Sequence, residues 1–334
     1  MKLFGTGVSP RRLTFTLLAL IVVAVGALAL VLLALSSRPL EEGVEFADFS
    51  ADSTATVVFA GEFPPLEREP LGRPIAIDGD GERLYVLESD PGQVSVRGYD
   101  GALLATFTVE AAPGAAGFFP IDVEVLRDGR LGIVDGASPR VLLVDPDEPD
   151  RIEFLDEGPA LLQPTSIEAD DEWIAVADAG DGTVRLFSWR GRYEGILGRD
   201  LRPPITFVGD TLLDGEVVWV SDSNAGRVIA LDIRTGELVT SLQQRFDLPR
   251  GLDRALGGRL AVVDTFARQV VLFDLEQQVA VDIVGDERTE RFDEGGELGA
   301  PESCFWDDAE DRLYVVDPAL GRVKVYGLRE ALEQ

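Results

Sequence analysis

The sequence predicts an all-β protein, a six-bladed β-propeller preceded by one N-terminal transmembrane helix. Three observations carry that reading. First, an apolar strand ending in an acid recurs six times, at residues 84–88, 131–135, 174–178, 218–222, 260–264 and 313–317. Second, a valine stands six residues after each of those acids (Val94, Val141, Val184, Val228, Val270, Val323), and the acids recur at intervals of 47, 43, 44, 42 and 53 residues. A period in the forties built from short strands marks propeller blades. Third, residues 13–35 form a run of 23 residues without a charge.

Taken in order, residues 1–12 form a short N-terminus carrying Lys2, Arg11 and Arg12. The apolar run follows. At about 1.5 Å per residue it spans a hydrocarbon core of roughly 30 Å. A cleaved signal peptide is the rival reading, with Ala34-Leu35-Ser36 as its cleavage site. The run exceeds the ~7–15 apolar residues usual for such a peptide. Bases precede the run, whereas Glu41, Glu42, Glu45 and Asp48 follow it. The positive-inside rule then expects a single-pass protein of the cell membrane, its N-terminus cytoplasmic and its domain outside. Residues 36–54 are a polar, acidic tether.

Residues 56–61 read as a lone strand before the first repeat. Each full repeat then carries four strands. The innermost follows a proline, best seen at Pro120, Pro164, Pro249 and Pro301. The second ends in the acid, the third starts near the fixed valine, and the fourth is looser. The sixth repeat stops after its third strand. Pairing residues 56–61 beside residues 323–326 closes the ring and removes an exposed sheet edge. The propeller therefore covers residues 55–328, with a tail at 329–334.

The motifs resemble NHL repeats. Asp128-Gly129-Arg130-Leu131, Leu313-Tyr314-Val315-Val316-Asp317 and Arg322-Val323-Lys324-Val325-Tyr326 carry the likeness. Glu88, Gly132 and Ala175 depart from it, as do Gln93, Thr183 and Gln269 where the repeat has arginine. The resemblance implies the propeller and brings no active site with it.

Composition narrows the function. There are 60 acids against 30 bases and a net charge of −30, and only Lys2 and Lys324 are lysines. Such a surface repels phosphates, so no nucleic-acid partner is expected. There is no histidine, which removes the commonest general base and excludes a Ser-His-Asp triad. The single cysteine, Cys304, lies in an apolar strand and reads as a small buried hydrophobe.

Two groups of acids are candidate sites. Glu88, Asp135, Asp178, Asp222, Asp264 and Asp317 end the second strands and should share one face, the ligand face, with the inter-blade loops. An acid before a tight turn also accepts that turn's N–H groups, which is the structural role expected of this ring. Asp122, Glu124, Glu168 and Asp253 lie on the innermost strands and are the candidate metal ligands. Their oxygens suit calcium, and gluconolactonase-like propellers, similar at the level of fold, use a metal in the axial channel. The competing reading is a solvated channel with those acids paired to Arg127, Arg250 and Arg254. Asp78-Gly79-Asp80-Gly81 reads as a turn, because Arg83 stands where an EF-hand needs glycine. The acidic connection 285–299 is the longest insertion and belongs on the ligand face.

Together these features predict a membrane-anchored, extracytoplasmic propeller that binds or scaffolds a protein or small ligand, with no cofactor expected. The alternative is a calcium-dependent hydrolase or lactonase.

Overall fold

The computed structural model describes residues 56–108, 118–155, 158–285 and 296–329. The N-terminus, transmembrane helix and tether expected over residues 1–54 lie outside the described residues, as does the tail beyond Arg329. Among the described residues no helix is long and apolar enough to cross a membrane.

Six four-stranded antiparallel sheets make up the described chain. Strand β1 (Thr56–Phe63) comes first. Blade one is β2 (Pro74–Gly79), β3 (Leu84–Glu88), β4 (Gln93–Arg97) and β5 (Leu103–Thr108). Blade two is β6 (Pro120–Val125), β7 (Leu131–Asp135), β8 (Arg140–Val144) and β9 (Ile152–Leu155). Blade three is β10 (Pro164–Ala169), β11 (Trp173–Asp178), β12 (Thr183–Ser188) and β13 (Tyr193–Leu197). Blade four is β14 (Val208–Asp214), β15 (Val217–Asp222), β16 (Arg227–Asp232) and β17 (Leu238–Ser241). Blade five is β18 (Pro249–Ala255), β19 (Arg259–Asp264), β20 (Gln269–Asp274) and β21 (Val279–Val284). Blade six is β22 (Ser303–Asp307), β23 (Arg312–Asp317) and β24 (Arg322–Arg329), with β1 as its fourth strand.

The expected ring closure is what the structure contains. β1 runs antiparallel to β24, pairing Thr56 with Arg329, Phe59 with Tyr326 and Phe63 with Val323. Both strands are longer than the sequence pattern suggested, and a bulge at Ala60 shifts the register once. Val57 and Phe59 pack into the interface with blade five, as their alternation predicts.

Burial explains the repeating composition. Blades stack face to face, so the second strands are covered on both sides. β3 and β7 are buried at every position, which selects continuous Val, Leu and Ile. The outermost strands keep one side in water; β5 and β21 are largely exposed. Six core clusters fill the six interfaces between neighbouring blades.

Every inner strand of blades one to five bulges by one residue just after its start. Pro74 pairs with Glu88 and Ala76 with Leu87; Pro249 pairs with Asp264 and Leu252 with Val262. The extra residue bends the strand toward the axis. Blade four keeps this bulge although Val208 stands where its neighbours have proline.

Acids on the inner strands then tie each blade to the next. Asp78 Oδ2 accepts the Val125 N–H at 2.6 Å, and Asp122 Oδ2 accepts that of Ile167 at 2.9 Å. Glu124 Oε1 accepts the Ala169 N–H at 3.1 Å, and Glu168 accepts that of Leu213. Asp210 Oδ2 accepts the Leu252 N–H at 2.8 Å, and Asp253 Oδ2 accepts that of Trp306 at 2.6 Å. Blades one to six are thus linked in series. Between blades six and one Phe305 occupies the corresponding position. There Phe305 and Tyr99 pack on Tyr314, with ring centres 6.1 and 6.0 Å apart. Gly79 is glycine because a side chain there would run into the Phe305 ring.

Candidate functional site

The described residues just before the inner strands and the turns after the second strands meet on one face, as where the Gly136 N–H bonds the Phe119 carbonyl and the Ala179 N–H that of Gln163. At its centre the axial channel opens into a cavity of about 250 Å³. Arg73, Phe119, Gln163, Phe207, Arg250 and Glu302 stand around this mouth, and Asp122 and Asp210 line it deeper.

The six terminal acids do not face this cavity. Asp135, Asp178, Asp222 and Asp317 are 0% exposed, and Glu88 and Asp264 are nearly as deep. Each accepts N–H groups from the loop entering its own blade. Asp135 takes the Phe119 N–H at 3.1 Å, and Asp178 takes those of Leu162 and Gln163 at 2.8 Å each. Asp222 takes those of Thr206 and Phe207 at 3.0 and 3.2 Å, and Asp264 takes those of Asp247 and Leu248 at 3.0 and 2.8 Å. Glu88 binds the Gly72 N–H at 2.8 Å, and Asp317 those of Gly299 and Ala300 at 2.5 and 3.1 Å. Arg140, Arg185 and Arg227 neutralise Asp135, Asp178 and Asp222 at 3.0, 3.2 and 2.8 Å. The ring therefore sets the backbone from which Phe119, Gln163 and Phe207 reach the mouth.

Below the mouth a narrower space of about 90 Å³ is lined by Asp78, Asp122, Glu124, Glu168, Asp210 and Asp253, together with Cys304 and Phe305. The four acids named from sequence thus converge on the channel, and two more join them. Burial is the largest cause of their altered acidity. It raises Asp78 and Asp210 to about 6 and lifts Asp122, Glu124, Glu168 and Asp253 well above the usual carboxylate range. Like charge adds to this: Asp210 raises Asp122, and Asp78 raises Glu124. Burial likewise pushes the Cys304 thiol up, which keeps it inert.

The expected arginine pairing is not what forms. Arg127 pairs with Asp171 at 3.6 Å, and Arg254 with Asp214 at 3.0 Å, both on the surface. Arg250 lies 3.6 Å from Glu302 and acts on Asp210 only through its field. The inner-strand acids are instead compensated by backbone N–H groups of the neighbouring blade. Among the described residues no three His, Cys, Asp or Glu side chains are grouped as a metal site. The 78–81 segment is a turn: Asp80 Oδ1 accepts the N–H groups of Glu82 and Arg83 at 2.9 and 2.6 Å. Of the acidic connection, residues 286–295 lie outside the described residues.

Sequence reasoning missed Asp78, Asp210, Arg73 and the mouth aromatics. Asp210 hides because its blade lacks the proline marker. Asp78 hides because the Asp-Gly turn that follows accounts for it.

No protein-family model matches the chain, so its likeness to NHL repeats is one of motif. No curated protein matches it either. Solved structures do. The chain is similar to a streptogramin B lyase structure at 12% identity with a TM-score of 0.60, over 84% of this chain and 100% of the other. It is similar to virginiamycin B lyase from Staphylococcus aureus at 11% identity and a TM-score of 0.57, over 85% of this chain and 100% of that one. A protein of unknown function from Bacteroides thetaiotaomicron matches at 14% identity and a TM-score of 0.58, over 86% of this chain and 73% of the other. At such identities the likeness is one of fold: a six-bladed propeller.

Proposed function

We propose that the chain is a single-pass membrane protein that holds an NHL-like propeller outside the cytoplasm, where it binds a small ligand at the axial mouth. The cavity itself carries this reading. It is concave, and aromatic and polar side chains converge on it, as they do in small-molecule sites. At about 250 Å³ it sits just below the ~300–1,000 Å³ of typical ligand pockets, which favours a small ligand. The same face carries exposed apolar side chains: Leu66 at 80%, Phe119 at 49%, Leu162 at 56%, Phe266 at 71% and Leu320 at 41%. Of these, Phe119 stands at the opening itself, where an exposed aromatic beside polar groups suits a ligand.

The exposed Gln163 side chain gives the test, since only its backbone N–H is used by Asp178. A small-molecule extract of the native cells should raise the melting temperature of the wild-type protein. Gln163→Trp, which fills the mouth, should abolish that shift while keeping the unliganded melting temperature. An equal shift in both proteins refutes a mouth ligand.

The second reading, a calcium-dependent hydrolase or lactonase, draws on the six channel carboxylates. It predicts that calcium added after chelation raises the melting temperature, and that Glu168→Gln removes the effect. The binding reading predicts no calcium shift.

A further inference from the structure

Resting on the mouth reading, we infer that the ligand is amphoteric, an amino-acid-like molecule whose carboxylate meets Arg250 and Arg73 and whose ammonium meets Asp122 and Asp210. Three features of the cavity lead there. The first is an unused donor. Arg250 Nε is buried without a hydrogen-bond partner, and its guanidinium lies over the Phe207 ring, 5.7 Å from the centre. Glu302 is 3.6 Å away, outside hydrogen-bond range for that nitrogen. A buried donor left unmade is costly, and a ligand carboxylate satisfies it. Arg73 lines the same opening and adds a second positive charge.

The second feature is a pair of carboxyl groups at the cavity's deep end, Asp122 and Asp210. Asp210 lies close enough for Asp122 to feel its charge, and no lysine or histidine lines the mouth. Their oxygens accept backbone N–H groups, at 2.9 Å each for Asp122 and at 2.8 Å each for Asp210, yet carboxylate oxygens keep further lone pairs. An ammonium set between them relieves their repulsion. A purely anionic ligand would meet that repulsion instead. The third feature is the wall: Phe119 and Phe207 flank the opening and offer faces to an apolar side chain.

The experiment is calorimetric titration of the full chain in detergent with L-phenylalanine, 3-phenylpropionate and 2-phenylethylamine. L-Phenylalanine should bind at least tenfold tighter than either analogue. Arg250→Gln should reduce it to the level of the amine. Asp122→Asn, if it folds, should reduce it to the level of the acid. If it does not fold, the wild-type ranking decides. Phenylpropionate or phenylethylamine binding as tightly as L-phenylalanine overturns the inference, as does no binding by any of the three. In that last case the Gln163→Trp comparison separates the failures. A cell extract that still shifts only the wild type leaves the mouth reading standing and rejects the amphoteric class.

Discussion

At the scale of single residues, the carboxylates divide into two populations. Those of the ring are buried but served by several donors, and Asp135, Asp178 and Asp222 also by an arginine. Asp222, 0% exposed, accepts two backbone N–H groups, the Thr206 hydroxyl at 2.6 Å and the Arg227 Nε–H at 2.9 Å. Asp222→Ala leaves those buried donors unmatched and takes the carboxylate from the half-buried Arg227, a change expected to cost about 3–5 kcal/mol. Urea unfolding checks it, and a loss under about 1 kcal/mol would show that water or another acceptor takes over. The channel acids are a different case. For Asp78, burial raises the folded-state pKa from 3.8 to about 6. The folded state then holds the proton more tightly than the unfolded one. Its contribution to stability is full below 3.8 and is lost as pH rises to about 6. In high salt, which screens the surface charge, the melting temperature should fall as pH rises through that window. Asp78→Asn should flatten the fall, and an unchanged profile in the variant would rule out Asp78 as a source.

At the scale of elements, the closing strand is the test case. β1 contributes Val57 and Phe63, 4% and 1% exposed, to two different inter-blade cores. Its Val57 N–H is also accepted by Asp282 of β21 at 2.9 Å. Deleting residues 1–53 should leave a folded domain, whereas deleting residues 1–63 should expose the β24 edge and cause aggregation. Melting temperature and solution mass of the two truncations measure this; two identical monomers would mean that β1 is dispensable. The strands and this closure were legible because burial on both faces dictates composition, and the acid-to-valine interval fixes the hairpin. The mouth was not legible. Phe119 and Phe207 read as ordinary loop residues until Asp135 and Asp222, 16 and 15 positions on, are seen to hold them. The inter-blade links were hidden for the same reason: Asp122 and Ile167 stand 45 positions apart and meet only in the folded ring.

At the scale of the whole molecule, the charge pattern around residues 13–35 expects the propeller to face outward. Protease added to intact cells should then digest the domain. Digestion only after lysis would reverse the orientation, and a native protein beginning near Ser37 would mean secretion. Ring closure joins the first described strand to the last, Thr56 beside Arg329. In the order of synthesis, β1 emerges from the ribosome before β24 and waits for a partner made after the other five blades. Pairs so distant in sequence form slowly. A nascent chain that stops early cannot complete the circle, whatever its first five blades have done. The fold thus contains its own check on synthesis: a closed ring certifies that the chain has been made at least as far as β24.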